Sequence, residues 1–225
     1  MTSVVEGGPD VTAAGHELLV RLAGRLPDDM VWRLRDWLAA GALGSVAAVL
    51  PRALLRHRLG ITDGERELLW RCVSEWPPAR RMVDTVLPLS ELDDPGVAFS
   101  AGTVTHDLVA MSAASVAAGH PGVEELRQTW RGPRGEQRVL VALGADRPWD
   151  LTGTLQRLLR VHGDRTPCVE VLPLEMEVPG YHQAAVIGSS VLVARPPDPA
   201  SADGCGGAPG PDSAGVPAPG ALTGT

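Results

Sequence analysis

Apolar positions along the first half of the chain recur every three or four residues. In "LPDDMVWRLRDWLAAG", Met30, Val31, Leu34, Trp37 and Leu38 fall on one face. That is the spacing of an amphipathic helix, started by Pro27 and two aspartates and stopped at Gly41. A second helix is predicted through "GSVAAVLPRALLRHRLG", where Pro51 kinks it or begins a new one and Gly60 ends it. Arg56, His57 and Arg58 lie in its last turn, where cations suit the helix dipole. A third opens with "TDGE", Thr62 to Glu65, a capping-box pattern. Its apolar face is Leu68, Leu69, Cys72, Val73 and Trp76, and Pro77 and Pro78 stop it.

The second half changes period. "TVTHDLVAMSAASVAAGH" reads as a helix of small residues able to pack closely, and "PGVEELRQTWRG" as a short helix with Pro121 at its first position and Gly132 past its end. "QRVLVALG" is an unbroken apolar strand, as expected when both faces are covered. "PWDLTGTLQRLLRVHG" returns to helical spacing with Leu151, Leu155, Leu158 and Leu159, and "PCVEVLP" is a second strand. "HQAAVIGSSVLVA" is expected as a third strand with Gly188 as a bulge or kink. Strand, helix and strand of these lengths suit a right-handed parallel crossover.

The predicted fold is therefore α/β (or α+β) and helix-rich. Residues 1–15 form a loose leader, 16–95 a bundle-like helical segment, and 96–195 a small β-α-β unit that joins it or stands alone. Residues 196–225 hold seven prolines and seven glycines. Such a composition buries too little apolar surface to offset its ordering entropy, so a disordered tail is expected.

Composition narrows the chemistry. There is no lysine and no asparagine, so all 20 basic residues are arginines. Isoleucine, phenylalanine and tyrosine are also scarce, which points to a GC-rich genome. A phosphate loop, a Schiff-base enzyme and kinase-type phosphoryl transfer each require a lysine that this chain lacks. Cys72, Cys168 and Cys205 are far apart, with no C-x-x-C spacing, which fits free thiols in a reducing cytoplasm. No signal peptide is apparent, and the uncharged run near Leu38 to Leu50 is too short and glycine-broken to span a bilayer.

No nucleophile elbow and no H-E-x-x-H occurs. "THD", Thr105 to Asp107, offers the adjacent His-Asp pair used by metal-dependent phosphohydrolases of the HD type, but nothing in the context of His57 or Asp146 supplies the remaining ligands. No cofactor and no metal is expected. Residues 51–81 outline a helix-turn-helix with seven arginines against four acids. The reading helix would begin with Asp63, Glu65 and Glu67, which meet a phosphate field badly, and the whole chain carries a net charge of −7. Nucleic acid is thus an unfavoured partner.

Two candidate surfaces remain. Trp32 projects roughly 160° from Leu34 at 100° per residue, and Trp70 likewise from Cys72. With Arg35 and Arg66 they outline a Trp/Arg helical face. Tryptophan and arginine are enriched in interaction hot spots. The leading expectation is a non-catalytic, cytoplasmic protein-interaction or regulatory protein that contacts another protein or a second copy through that face. The alternative is a small-ligand binder or enzyme that uses the strand-to-helix loop Gly144–Asp150, with Asp146, Trp149 and Asp150 beside Tyr181 and His182. Asp150 also reads as a helix-starting acid. The loop lacks phosphate-binding glycines, so a ligand there is expected to be cationic.

Overall fold

The computed structural model describes residues 9–90, 96–102, 107–132 and 135–195. The tail expected at 196–225 lies outside the described residues, as does Cys205. Five helices come first: α1 (Pro9–Arg21), α2 (Asp28–Ala39), α3 (Leu43–Arg56), α4 (Asp63–Val73) and α5 (Pro77–Val83). Helix α1 begins inside the stretch expected as a loose leader. Pro51 is accommodated within α3, and the tandem prolines that end α4 also start α5. The capping box forms as expected, with Thr62 Oγ1 accepting from Glu65 N and Glu65 Oε2 accepting from Thr62 N. Leu18, Leu34, Leu50, Leu54 and Leu69 fill the core between these helices.

The sheet follows: β1 (Phe99–Ser100), α6 (Leu108–Ala118), β2 (Val123–Arg131), β3 (Gln137–Gly144), α7 (Pro148–Val161), β4 (Cys168–Leu172), α8 (Gly180–Ile187) and β5 (Ser190–Ala194). β3 and β4 are parallel, with Val139 opposite Cys168 and Leu143 opposite Leu172. β2 runs antiparallel to β3, and β1 and β5 both pair with β2. The sheet is mixed and five-stranded, and the fold is α/β.

Two expectations fail here. The segment 121–132 is strand β2, not a helix. Its Glu, Leu, Arg and Gln residues favour a helix locally, but pairing with both β3 and β5 overrides that preference. The segment 182–194 is not one strand: α8 occupies its first part, and Gly188 ends that helix before β5. Gly188 is no bulge. Its N–H bonds Ala184 O, and an added Cβ would meet Phe99 at 2.8 Å.

Helices cover both faces of the sheet. On one side, Ala113 and Ala117 of α6 and Leu151 and Leu155 of α7 pack on Leu140, Ala142, Val169 and Val171. On the other, Val20 of α1 and Ala185 of α8 pack on Val139, Val141, Cys168 and Leu172. This is why residues 139–142 of β3 are all fully buried. The helical half and the sheet belong to one compact unit ending at Arg195. At their junction, Gly153 of α7 lets Ala39 of α2 approach so closely that an added Cβ would sit 2.5 Å from the alanine methyl.

Candidate functional site

The expected Trp/Arg face is absorbed by the fold. Arg35 is 2% exposed and pairs bidentately with Glu170 of β4, at 2.9 and 2.6 Å. It also donates to Val169 O and Leu19 O. Trp32 is half-buried against α7, with the Arg160 guanidinium 5.0 Å from its ring centroid. Trp70 packs on the helical core beneath Arg80. Arg66 donates to Val83 O and Val86 O, closing the turn after α5. These four residues hold elements together and form no continuous exposed patch. Glu65, which faced the DNA reading as an acid on the reading helix, is buried in an ion pair with Arg25. Thr105 and His106 lie outside the described residues. Asp107 caps α6 and pairs with Arg138.

The five residues of the ligand reading divide between two places. Tyr181 and His182 are buried at the start of α8, in a polar cluster beneath the sheet. His182 Nε2 donates to Glu170 Oε2 at 2.8 Å, and Arg131 donates to Tyr181 OH at 2.7 Å and to Asp28. Burial pushes the Cys168 thiol up to about 12 and raises the Tyr181 hydroxyl well above its ordinary value. Both therefore stay protonated, and neither is a nucleophile or base at neutral pH. The space beside them, bounded by Trp32, Arg35, Glu170 and Tyr181, is about 10 Å³. That is room for one water at most. The cluster joins the helical half to the sheet; it is not a ligand site.

Asp146 and Trp149 lie elsewhere, at the carboxyl ends of β3 and β4. In α/β folds, ligands collect at this edge. Three segments enclose a cleft of about 460 Å³ there: α1 through Ala13, His16, Glu17 and Arg21, the β3–α7 loop, and the loop after β4 through Pro173 and Glu175 to Glu177. The β3–α7 loop is tightly constrained. Asp146 N donates to Pro121 O, and Ala145 has φ of 141°, a region that favours glycine. Backbone held in such a conformation costs of order 1–3 kcal/mol and concentrates at functional sites. Asp150 stays outside the cleft. It serves as a first-turn acid of α7, paired with Arg147 at 2.9 Å.

The cleft is acidic. Glu17, Asp146, Glu175 and Glu177 line it against one guanidinium, Arg21, which is itself bound to Glu17 at 2.8 Å. Asp146, Glu175 and Glu177 have no side-chain partner among the described residues. His16 is 1% exposed at the cleft wall. Its Nε2 donates to Val171 O at 2.8 Å, and its Nδ1 has no partner. Burial lowers its pKa to about 4, so the ring is neutral and Nδ1 carries a lone pair.

A larger opening of about 710 Å³ lies beside Arg25, Asp28 and Arg131. Its charged groups are already committed: Arg25 to Glu65 and Gly60 O, Arg131 to Asp28 and Tyr181. Nothing there is left to recognise a ligand's charge.

Sequence reasoning singled out Asp146 and Trp149 but missed His16, Glu17 and Glu170. Glu170 carried a signal: one acid in an apolar strand covered on both faces must find a buried cation. His16 carried none, because its acceptor is 155 residues away.

Comparison of the chain with protein-family models, with curated proteins and with solved structures finds no significant match in any of the three. The class established by the structure is an α/β protein with a mixed sheet. Among the described residues, no helix is long and apolar enough to cross a membrane.

Proposed function

We propose that this chain is a binding protein for a small organic cation, held in the cleft at the carboxyl edge of β3 and β4. The observation that carries this reading is the set of unpaired carboxylates, Asp146, Glu175 and Glu177, around one cleft whose wall is formed partly by Trp149. Carboxylates supply the charge complement, and Trp149, whose ring already carries the Arg147 guanidinium at 5.9 Å, adds apolar wall. The size also suits, since small-molecule sites commonly span roughly 300–1,000 Å³. The free, buried Cys72 and Cys168 are consistent with action in a reducing cytoplasm. The test is a titration with putrescine followed by tryptophan fluorescence. The expected result is a saturable change, lost in Trp149→Phe and weakened in Asp146→Asn. No saturable change with any amine would refute the reading.

One observation favours a second reading, contact with another protein. The outer face of α6 presents Leu108 and Met111, 67% and 61% exposed, with no charged residue from Leu108 to Ala118. A helix apolar all round normally lies buried. Light scattering of the wild type and of Leu108→Ser/Met111→Ser tests it; an unchanged monomer in both would remove the case for self-association.

A further inference from the structure

We propose that a second copy of this chain pairs with β5, edge to edge and antiparallel, so that one sheet runs through both copies and their α6 helices lie side by side. This rests on the protein-contact reading of α6 given above and deepens it, by naming the partner and the edge that binds it.

The two edges of the sheet end differently. At β4 the carbonyls of Val169 and Val171 accept from Arg35 and His16, so α1 and α2 close that edge. β5 pairs with β2 alone. Val191 and Ala194 stand opposite Arg127 and Glu125, and Arg195 N donates to Glu124 O. Backbone groups alternate in direction along an antiparallel pair, so Val191 and Ala194 turn theirs away from β2. Among the described residues nothing bonds these outward groups. An edge of this kind is a template for a further strand. Ser190–Ala194 carries neither a charge nor a proline to guard it. The bulge at Leu192 leaves both outward positions in place.

The ground on both sides of that edge is apolar. On α6, Val109 faces α7, sharing a crevice with Leu159 and His162. At roughly 100° per residue, Met111, Ala114 and Ala118 lie on the opposite side, toward β5. On the other face of the sheet, Ile187 at the end of α8 is 86% exposed, and Val191 is 43% exposed. The occupant must therefore supply strand backbone and apolar side chains. It must also be uncharged, because no charged residue occurs from Leu108 to Ala118 or from Ser189 to Ala194 to answer a charge. Two copies with a net charge of −7 each repel one another, and an uncharged face is where they approach at least cost. The second copy's own β5 and α6 meet each of these demands. A two-fold axis sets each element against itself. The spans match, since an 11-residue helix and a five-residue strand are both about 17 Å long, so one axis serves both.

The experiment is light scattering of the full chain over a range of concentrations, with amide hydrogen exchange read at Val191 and Ala194. The wild type is expected to dimerise, and exchange at both amides to slow about tenfold or more as the dimer fills. Val191→Glu should raise the dissociation constant of the dimer at least about tenfold, because like charges near the axis repel. Within one chain the new carboxylate faces Arg127, which spares the fold. If the variant nevertheless unfolds, the exchange of the wild type decides alone. A dimer undiminished in a folded Val191→Glu, or exchange at the two amides that does not change with concentration, would overturn the β5 pairing and leave contact through α6 standing. A wild type that stays monomeric throughout would overturn the pairing and self-association through α6 together.

Discussion

Arg35 and Glu170, 135 positions apart, form a bidentate ion pair inside the molecule, between helix α2 and strand β4. Arg35 also reaches the carbonyls of Leu19 on α1 and Val169 on β4. One guanidinium therefore ties together two helices and the parallel edge of the sheet. Burial works against the charge on Glu170, but Arg35 and His182 outweigh it and hold its pKa well below the ordinary carboxylate range.

Removing one partner strands the other. Arg35→Ala leaves Glu170 charged and buried, and urea unfolding should show a loss of about 3–5 kcal/mol. The double variant Arg35→Met/Glu170→Met should lose less than Arg35→Ala alone, because no buried charge is left. Equal losses in the two would mean that packing, not charge, is what Arg35 supplies.

His16 sets a pH window. Folding lowers its pKa from 6.5 to about 4, so the unfolded chain takes up a proton that the folded chain refuses. Stability therefore rises with pH between about 4 and 6.5 and is flat above, by up to about 3 kcal/mol across the window. His16→Gln can keep a donor to Val171 O without titrating, and its urea midpoint should lose that slope. Glu170 acts lower: its contribution is present above its ordinary value of 4.5 and disappears as pH falls toward its depressed folded value.

Gly153 is required by close approach. Gly153→Ala would ordinarily strengthen a helix by about 1 kcal/mol. Here the new methyl meets Ala39, and overpacking of this kind costs about 1–3 kcal/mol, so thermal unfolding should show a lower Tm. Adding Ala39→Gly should restore part of the loss. A Gly153→Ala variant as stable as the wild type would contradict the described junction of α2 and α7.

Trp32→Ala should destabilise the fold by about 2–3 kcal/mol, below the full cost for a buried tryptophan because the ring is half-buried. Trp70→Ala should behave alike. Two variants with unchanged urea midpoints would return these residues to the surface role expected from the pattern.

The sequence carried the helices with strong local signals. α2 had its acids and its glycine stop, and α4 its capping box. β3 was legible because its apolar run is unbroken. β2 was not: Glu124, Glu125, Leu126 and Arg127 favour a helix, and only their neighbours β3 and β5 make them a strand. α8 failed for a related reason, since "HQAAVI" is short and apolar in both periods. Half of the cleft was legible, because a strand-to-helix loop announces its own position. The wall from α1 was not, because nothing local in "GHELLVR" says that His16 and Glu17 stand over the end of a sheet some 130 residues later. The surroundings of the helical face were illegible for the same reason. Trp32 and Arg35 lie on the polar side of α2 by period alone, and the α/β half of the chain covers that side.

The most direct test of the carboxyl-edge cleft is chemical-shift mapping of the full ¹⁵N-labelled chain titrated with putrescine. The account expects saturable shifts at Asp146, at Glu175 to Glu177, at the Trp149 indole N–H and at His16, with the amides of α4 and α5 unmoved. Shifts centred on the opening beside Asp28 and Arg131, on α6 around Leu108 and Met111, or spread evenly over the acidic surface would contradict it.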